Sequence, residues 1–186
     1  MTEKEKMLAE QWYDANNDMA LEDERKDCKK LCQAYNQLSC EQEQKRYELL
    51  CRILGGVGKN CTIQPSFYCD YGYNINVGEN FYANHNSVFL DAAKITFGDN
   101  VFIGPNCGFY TAEHPLEVNV RNRGLERARE IKVGNNVWIG GNVCVLAGVT
   151  IGNNCVLGAG SVVTKNIPDN ALACGNPARV VRLLEN

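Results

Sequence analysis

Histidine is the side chain best suited to take a proton from a hydroxyl near neutral pH. This sequence has only two, His85 and His114. His114 lies in "FYTAEHPLEVNVRNRG" (Phe109 to Gly124), a polar stretch that interrupts an otherwise regular pattern, and His85 follows Asn84 in "ANHN" (Ala83 to Asn86). A base of this kind lets a weak oxygen nucleophile attack an activated acyl group. Position alone leaves a catalytic and a solvated or structural histidine both open. Other chemistries lack their residues. A zinc hydratase needs three histidines, and the ten cysteines contain no CxxC pair, so no metal is expected. No P-loop or dinucleotide-binding glycine motif is present, which argues against ATP and NAD.

The elements that must position these residues are legible as a period. Aliphatic or aromatic residues followed by glycine recur at Phe97-Gly98, Ile103-Gly104, Val133-Gly134, Ile139-Gly140, Ile151-Gly152 and Leu157-Gly158, with Val145 and Val163 filling missing steps of six. Two positions earlier stand Ile95, Val101, Cys107, Ile131, Val137, Val143, Val149, Cys155 and Ser161. A six-residue period fits short strands joined by tight corners, three to a triangular coil. Its inward residues stack on the coils above and below. Glycine and asparagine suit corners that need left-handed backbone. A β-sandwich would place its turns at wider spacing. The step from Val77-Gly78 to Phe97 is not a multiple of six, so extra residues lie between them. Trp138 falls between inward positions 137 and 139 and is expected to face outward.

Residues 1–55 differ in composition. They are rich in Glu, Lys, Gln, Leu and Ala and lack proline before Gly55-Gly56, which reads as helix with a break at Asn16-Asn17-Asp18. Leu31, Tyr35 and Leu38 form one candidate apolar stripe, and Tyr47, Leu50 and Leu54 another. The division is thus a helical segment over 1–55, a solenoid over 56–168 with an inserted loop at about 110–130, and a tail over 169–186 that reads as a turn and then a strand or short helix. The net charge of −3 and the absence of a basic run give no sign of nucleic-acid binding. The charged start, "MTEKEKMLAEQW", and the lack of a long apolar run point to a cytoplasmic protein that does not enter a membrane. The cysteines, Cys107, Cys144 and Cys155 among them, are expected to be small buried hydrophobes in a reducing compartment.

The repeat, "NFYANHN" (Asn80 to Asn86), "TAEHP" (Thr111 to Pro115), "NNVWIG" (Asn135 to Gly140), "GAGSVVTK" (Gly158 to Lys165), "GNPAR" (Gly175 to Arg179) and the helical start with "WYDANNDMALEDER" (Trp12 to Arg25) together resemble the maltose and galactoside O-acetyltransferases, members of the hexapeptide-repeat acyltransferases. The likeness spans nearly the whole chain. It implies a left-handed parallel β-helix, a homotrimer with sites between subunits, acetyl-CoA as donor and a sugar hydroxyl as acceptor. It points to His114 as general base and leaves His85 structural or peripheral. Glu126 becomes a candidate to orient His114, against the alternative of a surface glutamate in "LERARE" (Leu125 to Glu130). Asn84 matches an asparagine that lines the family's active site. Gly141 matches the backbone donor to the oxyanion, and Gly141, Ala159 and Thr164 match positions along the coenzyme. Lys165, Arg179 and Arg182 are candidates for its phosphates. Asp14, Asp70 and Asp91 are candidates for sugar hydroxyls, and Trp138 for the sugar's apolar face. "CDYGYN" (Cys69 to Asn74) is nearer the maltose-type version of that segment, which favours a glucosyl acceptor. The rivals within the fold are galactoside, amino-sugar, antibiotic and serine acyltransferases.

Overall fold

The computed structural model describes residues 1–185. Short strands stack into three walls of five, five and seven strands, all in parallel except the last strand of the seven. One wall, called here the first, begins with Gly56–Val57. The second begins with Thr62–Ile63 and the third with Phe67–Cys69. The chain visits them in that order in each turn, as the six-residue period requires. Inward positions are buried as expected: Val137, Ile139, Val143, Val145, Val149, Ile151, Cys155, Leu157 and Val163 are all at most 2% exposed. At the foot of the prism the filling is aromatic. Phe89, Phe97 and Phe109 meet at ring-centroid distances of 5.0–5.3 Å.

The corner between the first and second walls explains the sequence's asparagines. Asn60, Asn80, Asn100, Asn136, Asn154 and Asn170 all have φ of 55–57°. Asparagine tolerates this left-handed region better than other non-glycine residues. Their amides form a ladder, each Nδ2–H donating to the Oδ1 one coil on, at 2.9–3.2 Å. The ladder also measures the coils, which are 20 residues long twice, then 36, then 18, then 16.

Each lengthened coil departs from six at the same corner, between the third and first walls. Asp70–Asn74 and Asp91–Lys94 bulge there in the two 20-residue coils, and residues 111–130 do so in the 36-residue coil. The three departures are stacked, so they make a platform. Tyr71, Ala92, Ala93 and Ala128 from this corner pack with Met7, Tyr13, Ala15 and Leu21 from the N-terminal segment in a second apolar cluster.

That segment holds three helices, α1 (Glu3–Leu8), α2 (Met19–Asn36) and α3 (Glu43–Ile53). Asp18 caps α2, its side chain accepting from the Leu21 N–H at 2.9 Å, as the Asn16-Asn17-Asp18 break predicts. The buried face of α2 differs from the expected stripe. It is Leu21, Cys28, Cys32 and Tyr35, whereas Leu31 and Leu38 are only partly covered. Two further expectations need correction. Cys144 faces outward, because it is the odd residue of the strand Cys144–Val145, and Cys40, Cys51 and Cys174 are exposed. The solenoid also runs past residue 168: Ala171–Cys174 pairs in parallel with Val156–Leu157, and only then does Arg179–Leu183 turn back antiparallel.

Candidate active site

The insertion carrying His114 is more ordered than a polar loop. Ala112–Glu113 and Leu125–Ala128 form an antiparallel pair around a fourth, one-turn helix, Val118–Arg121. The N-terminal strand Tyr13–Asp14 adds to the other edge, with Tyr13 opposite Glu126 and Asp14 opposite Leu125. The run read as surface charge is partly tied down. Glu113 accepts from Arg127 and from Arg129 at 2.8 Å, and the Arg127 guanidinium lies 4.9 Å from the centre of the Trp12 ring. The long sequence separation between residues 13–14 and 125–126 hides this pairing from any local pattern.

This small sheet sets the histidine. His114 Nδ1–H donates to the Leu125 carbonyl at 2.9 Å. A carbonyl only accepts, so Nδ1 carries a proton in this contact, and in the neutral ring the lone pair is on Nε2. The His114 side chain is 52% exposed, which leaves Nε2 open to a substrate. Glu126 does not occupy the orienting position proposed for it, because Leu125 holds that nitrogen. The Glu126 carboxylate instead stands 4.0 Å from Nε2, and its other oxygen accepts from the Tyr13 hydroxyl.

The acidic candidates divide. Asp70 sits on the same corner as Glu126, where burial and the neighbouring Glu126 charge raise its pKa, against the pull of Arg25. The Asp14 carboxylate accepts from the Asn16 and Asn17 N–H groups at 3.1 Å and the Asn17 amide at 2.9 Å, and these bonds lower its pKa. Asp91 must be withdrawn from the acceptor set. It is fully buried, and its carboxylate takes the backbone N–H groups of Asp70 at 3.0 Å, Tyr71 at 2.9 Å and Asn74 at 3.3 Å. It therefore shapes the bulge that presents Asp70.

Burial pushes the Asp91 pKa up to about 7, opposed by those N–H bonds. The unfolded value is near 4, so the folded state holds the proton more tightly. Stability from this group is present below about pH 4 and falls as pH rises toward about 7. Asp91→Asn keeps an acceptor and removes the titration. Its melting temperature relative to the parent is expected to improve between about pH 4 and pH 7. A pH-independent gap would show that Asp91 does not titrate in this range.

A second group of candidates lies elsewhere. Gly141 and Ala159 stack at the corner between the second and third walls, and Asn84 lies at the same corner one residue earlier in the coil register. The Gly160 N–H donates to the Gly141 carbonyl at 2.9 Å and the Asn142 N–H to the Pro105 carbonyl at 2.8 Å. Among the described residues the Gly141 and Ala159 N–H groups have no protein acceptor, so two successive coils offer amides to a ligand. The Asn84 side chain accepts from the His85 N–H at 2.8 Å, and His85 Nδ1 pairs with the Pro65 carbonyl of the coil below. Arg179 pairs with Cys174 beside this corner. Trp138, 60% exposed, continues an outer column on the second wall with Tyr82 and Phe102, and Arg182 is at that wall's end. Thr164 and Lys165 lie on the His114 corner, at its far end.

One chain thus separates a base corner, with His114, Glu126, Asp70 and Asp14, from an amide corner, with Gly141 and Ala159. The third wall spans the gap. At about 3.3 Å per residue the corners are on the order of 15–20 Å apart. A cavity of about 680 Å³ between α2, α3 and the first coil contains neither set.

A parallel hexapeptide solenoid with unpaired corner amides and a corner insertion presenting an exposed imidazole defines a class, the acyltransferases of this fold. The comparisons narrow it. Residues 6–58 match the maltose acetyltransferase hexapeptide capping motif, and residues 130–165 match the bacterial transferase hexapeptide repeat. A maltose O-acetyltransferase from Clostridium difficile 630 is 50% identical, with a TM-score of 0.98, over 100% of this chain and 99% of that one. A hexapeptide-repeat acetyltransferase from Vibrio cholerae, solved with acetyl coenzyme A, is 39% identical with a TM-score of 0.91 over the whole of both chains. A galactoside acetyltransferase solved with coenzyme A is 39% identical with a TM-score of 0.96, over 100% of this chain and 92% of that one. The chain belongs to the maltose and galactoside acetyltransferase family of hexapeptide-repeat enzymes. No described helix is long and apolar enough to cross a membrane.

Proposed function

We propose that this protein is an acetyl-CoA-dependent sugar O-acetyltransferase, working as a homotrimer with each site between two subunits and favouring a glucosyl or maltose-type acceptor. The observation that carries the reading is the Nδ1 bond of His114 to the Leu125 carbonyl, which leaves Nε2 as an exposed base. The sugar hydroxyl gives its proton to Nε2 as its oxygen attacks the thioester carbon. The Gly141 N–H, without an acceptor in the protein, receives the developing oxyanion. The carbon–sulfur bond then breaks, and the coenzyme thiolate takes the proton from the imidazolium. Glu126, 4.0 Å from Nε2, favours the transient imidazolium electrostatically. Asp14 and Asp70 hold sugar hydroxyls, with Trp138 against the ring. The unpaired Ala159 N–H, with Asn84, Thr164, Lys165, Arg179 and Arg182, holds the coenzyme. Reacting atoms must approach to about 3–3.5 Å. The base and amide corners of one chain are too far apart for that, which supports a shared site.

The direct test is turnover with acetyl-CoA against glucose, maltose, a galactoside, an amino sugar, an aminoglycoside and serine. Glucosyl acceptors are expected to give the highest kcat/KM. Asp70→Asn is expected to raise KM for the sugar roughly 10-fold, the scale of one lost charged hydrogen bond, without changing KM for acetyl-CoA. Turnover confined to the amino sugar, the aminoglycoside or serine would overturn the sugar assignment.

A further inference from the structure

Three cysteines converge where α2 meets the first coil. Cys28 and Cys32 are one helical turn apart, so their thiols share a face. Cys69 ends the strand Phe67–Cys69 beneath them. Its Sγ lies 3.4 Å from Cys28 Sγ and 3.7 Å from Cys32 Sγ, and all three sulfurs fall within 4.8 Å of one another. The residues are 4%, 1% and 4% exposed. Acetyl transfer makes no use of them.

Simple apolar packing asks only for volume. Here the sulfurs turn toward a common point. Bonds of about 2.3 Å to a central ion in a planar three-sulfur set require sulfurs roughly 4 Å apart, so the Cys28–Cys69 pair must open by about 0.6 Å and the Cys32–Cys69 pair by about 0.3 Å. Zinc favours a fourth ligand. No other His, Cys, Asp or Glu among the described residues joins the group, and the nearby Asp91 carboxylate is engaged by backbone N–H groups. Soft three-sulfur coordination suits Cu(I). We propose that Cys28, Cys32 and Cys69 form a three-coordinate site for Cu(I), which fastens α2 to the first coil beside Asp70. The ion keeps its charge and no electron is transferred. Each thiol that binds as a thiolate releases its proton to solvent.

The test uses the full chain with the outward-facing Cys40, Cys51, Cys144 and Cys174 changed to serine, reduced and titrated with the Cu(I)–bicinchoninate complex. One Cu(I) per chain is expected, with three sulfurs by X-ray absorption and a raised melting temperature. Cys32→Ala in that background is expected to lose the one-to-one binding and the melting shift. Its acetyltransferase turnover without copper gives an independent check on folding. Zn²⁺ is expected to bind more weakly than Cu(I). Absence of one-to-one binding, coordination by fewer than three sulfurs, or binding that survives Cys32→Ala would each overturn the site. If Cys32→Ala does not fold, the absorption measurement on the parent decides alone. None of these outcomes depends on which acceptor the enzyme uses.

Discussion

Replacing His114 with alanine is expected to lower kcat by roughly 10²–10⁴-fold, the contribution of a positioned general base, while the Kd for coenzyme A barely changes. The direction follows from tautomer and place. Nδ1 is fixed as a donor by the Leu125 carbonyl, so Nε2 is the one nitrogen able to accept the hydroxyl proton. The side chain makes no contact that holds the solenoid together, and its exposure of 52% means that its loss leaves no core cavity. A steady-state comparison with a coenzyme titration checks both halves. A fall in coenzyme affinity without a fall in kcat would show that His114 holds the donor and is not the base.

Replacing Gly141 with proline is expected to lower kcat by roughly 10²–10³-fold, the usual cost of one lost oxyanion donor. The substitution removes the N–H and little else. Pro105 stands at the same coil position one turn earlier, also after a glycine, so the backbone path there already accepts proline. A Cβ at Gly141 comes 3.2 Å from Pro105 Cδ, so a slight local shift is needed. The informative comparison is Gly141→Ala, which meets the same crowding but keeps the N–H. Alanine with near-parental kcat beside crippled proline assigns the effect to the amide. Equal losses in both would assign it to crowding.

The fold was largely legible because a solenoid writes its geometry in period. Every sixth residue had to be inward and small or aliphatic, and corner asparagines had to adopt positive φ. Trp138 could be placed outward on the same grounds. What escaped was set by contacts distant in sequence. Nothing local says that Tyr13–Asp14 pairs with Leu125–Ala128, so the insertion read as a loop and the Leu125 carbonyl, the actual partner of His114, went unnoticed. Asp91 looked like a sugar ligand because its residue type and motif position fit. Only burial reveals that its oxygens are already taken. The cysteines read uniformly as buried hydrophobes. The odd–even alternation of a two-residue strand decides otherwise for Cys144, and the meeting of α2 with Cys69 gives three of the rest a common focus.

The separation of the base and amide corners makes a shared site testable in a single experiment. His114→Ala and Gly141→Pro chains, each nearly inactive, are unfolded together in equal amounts and refolded into mixed trimers. If each site takes His114 from one subunit and Gly141 from the next, random assortment leaves both parental residues in about a quarter of sites, and about a quarter of the parental activity returns. If both residues act within one chain, no mixed trimer holds an intact site. Activity would then stay at the level of the two variants refolded separately, and the intersubunit site would be contradicted.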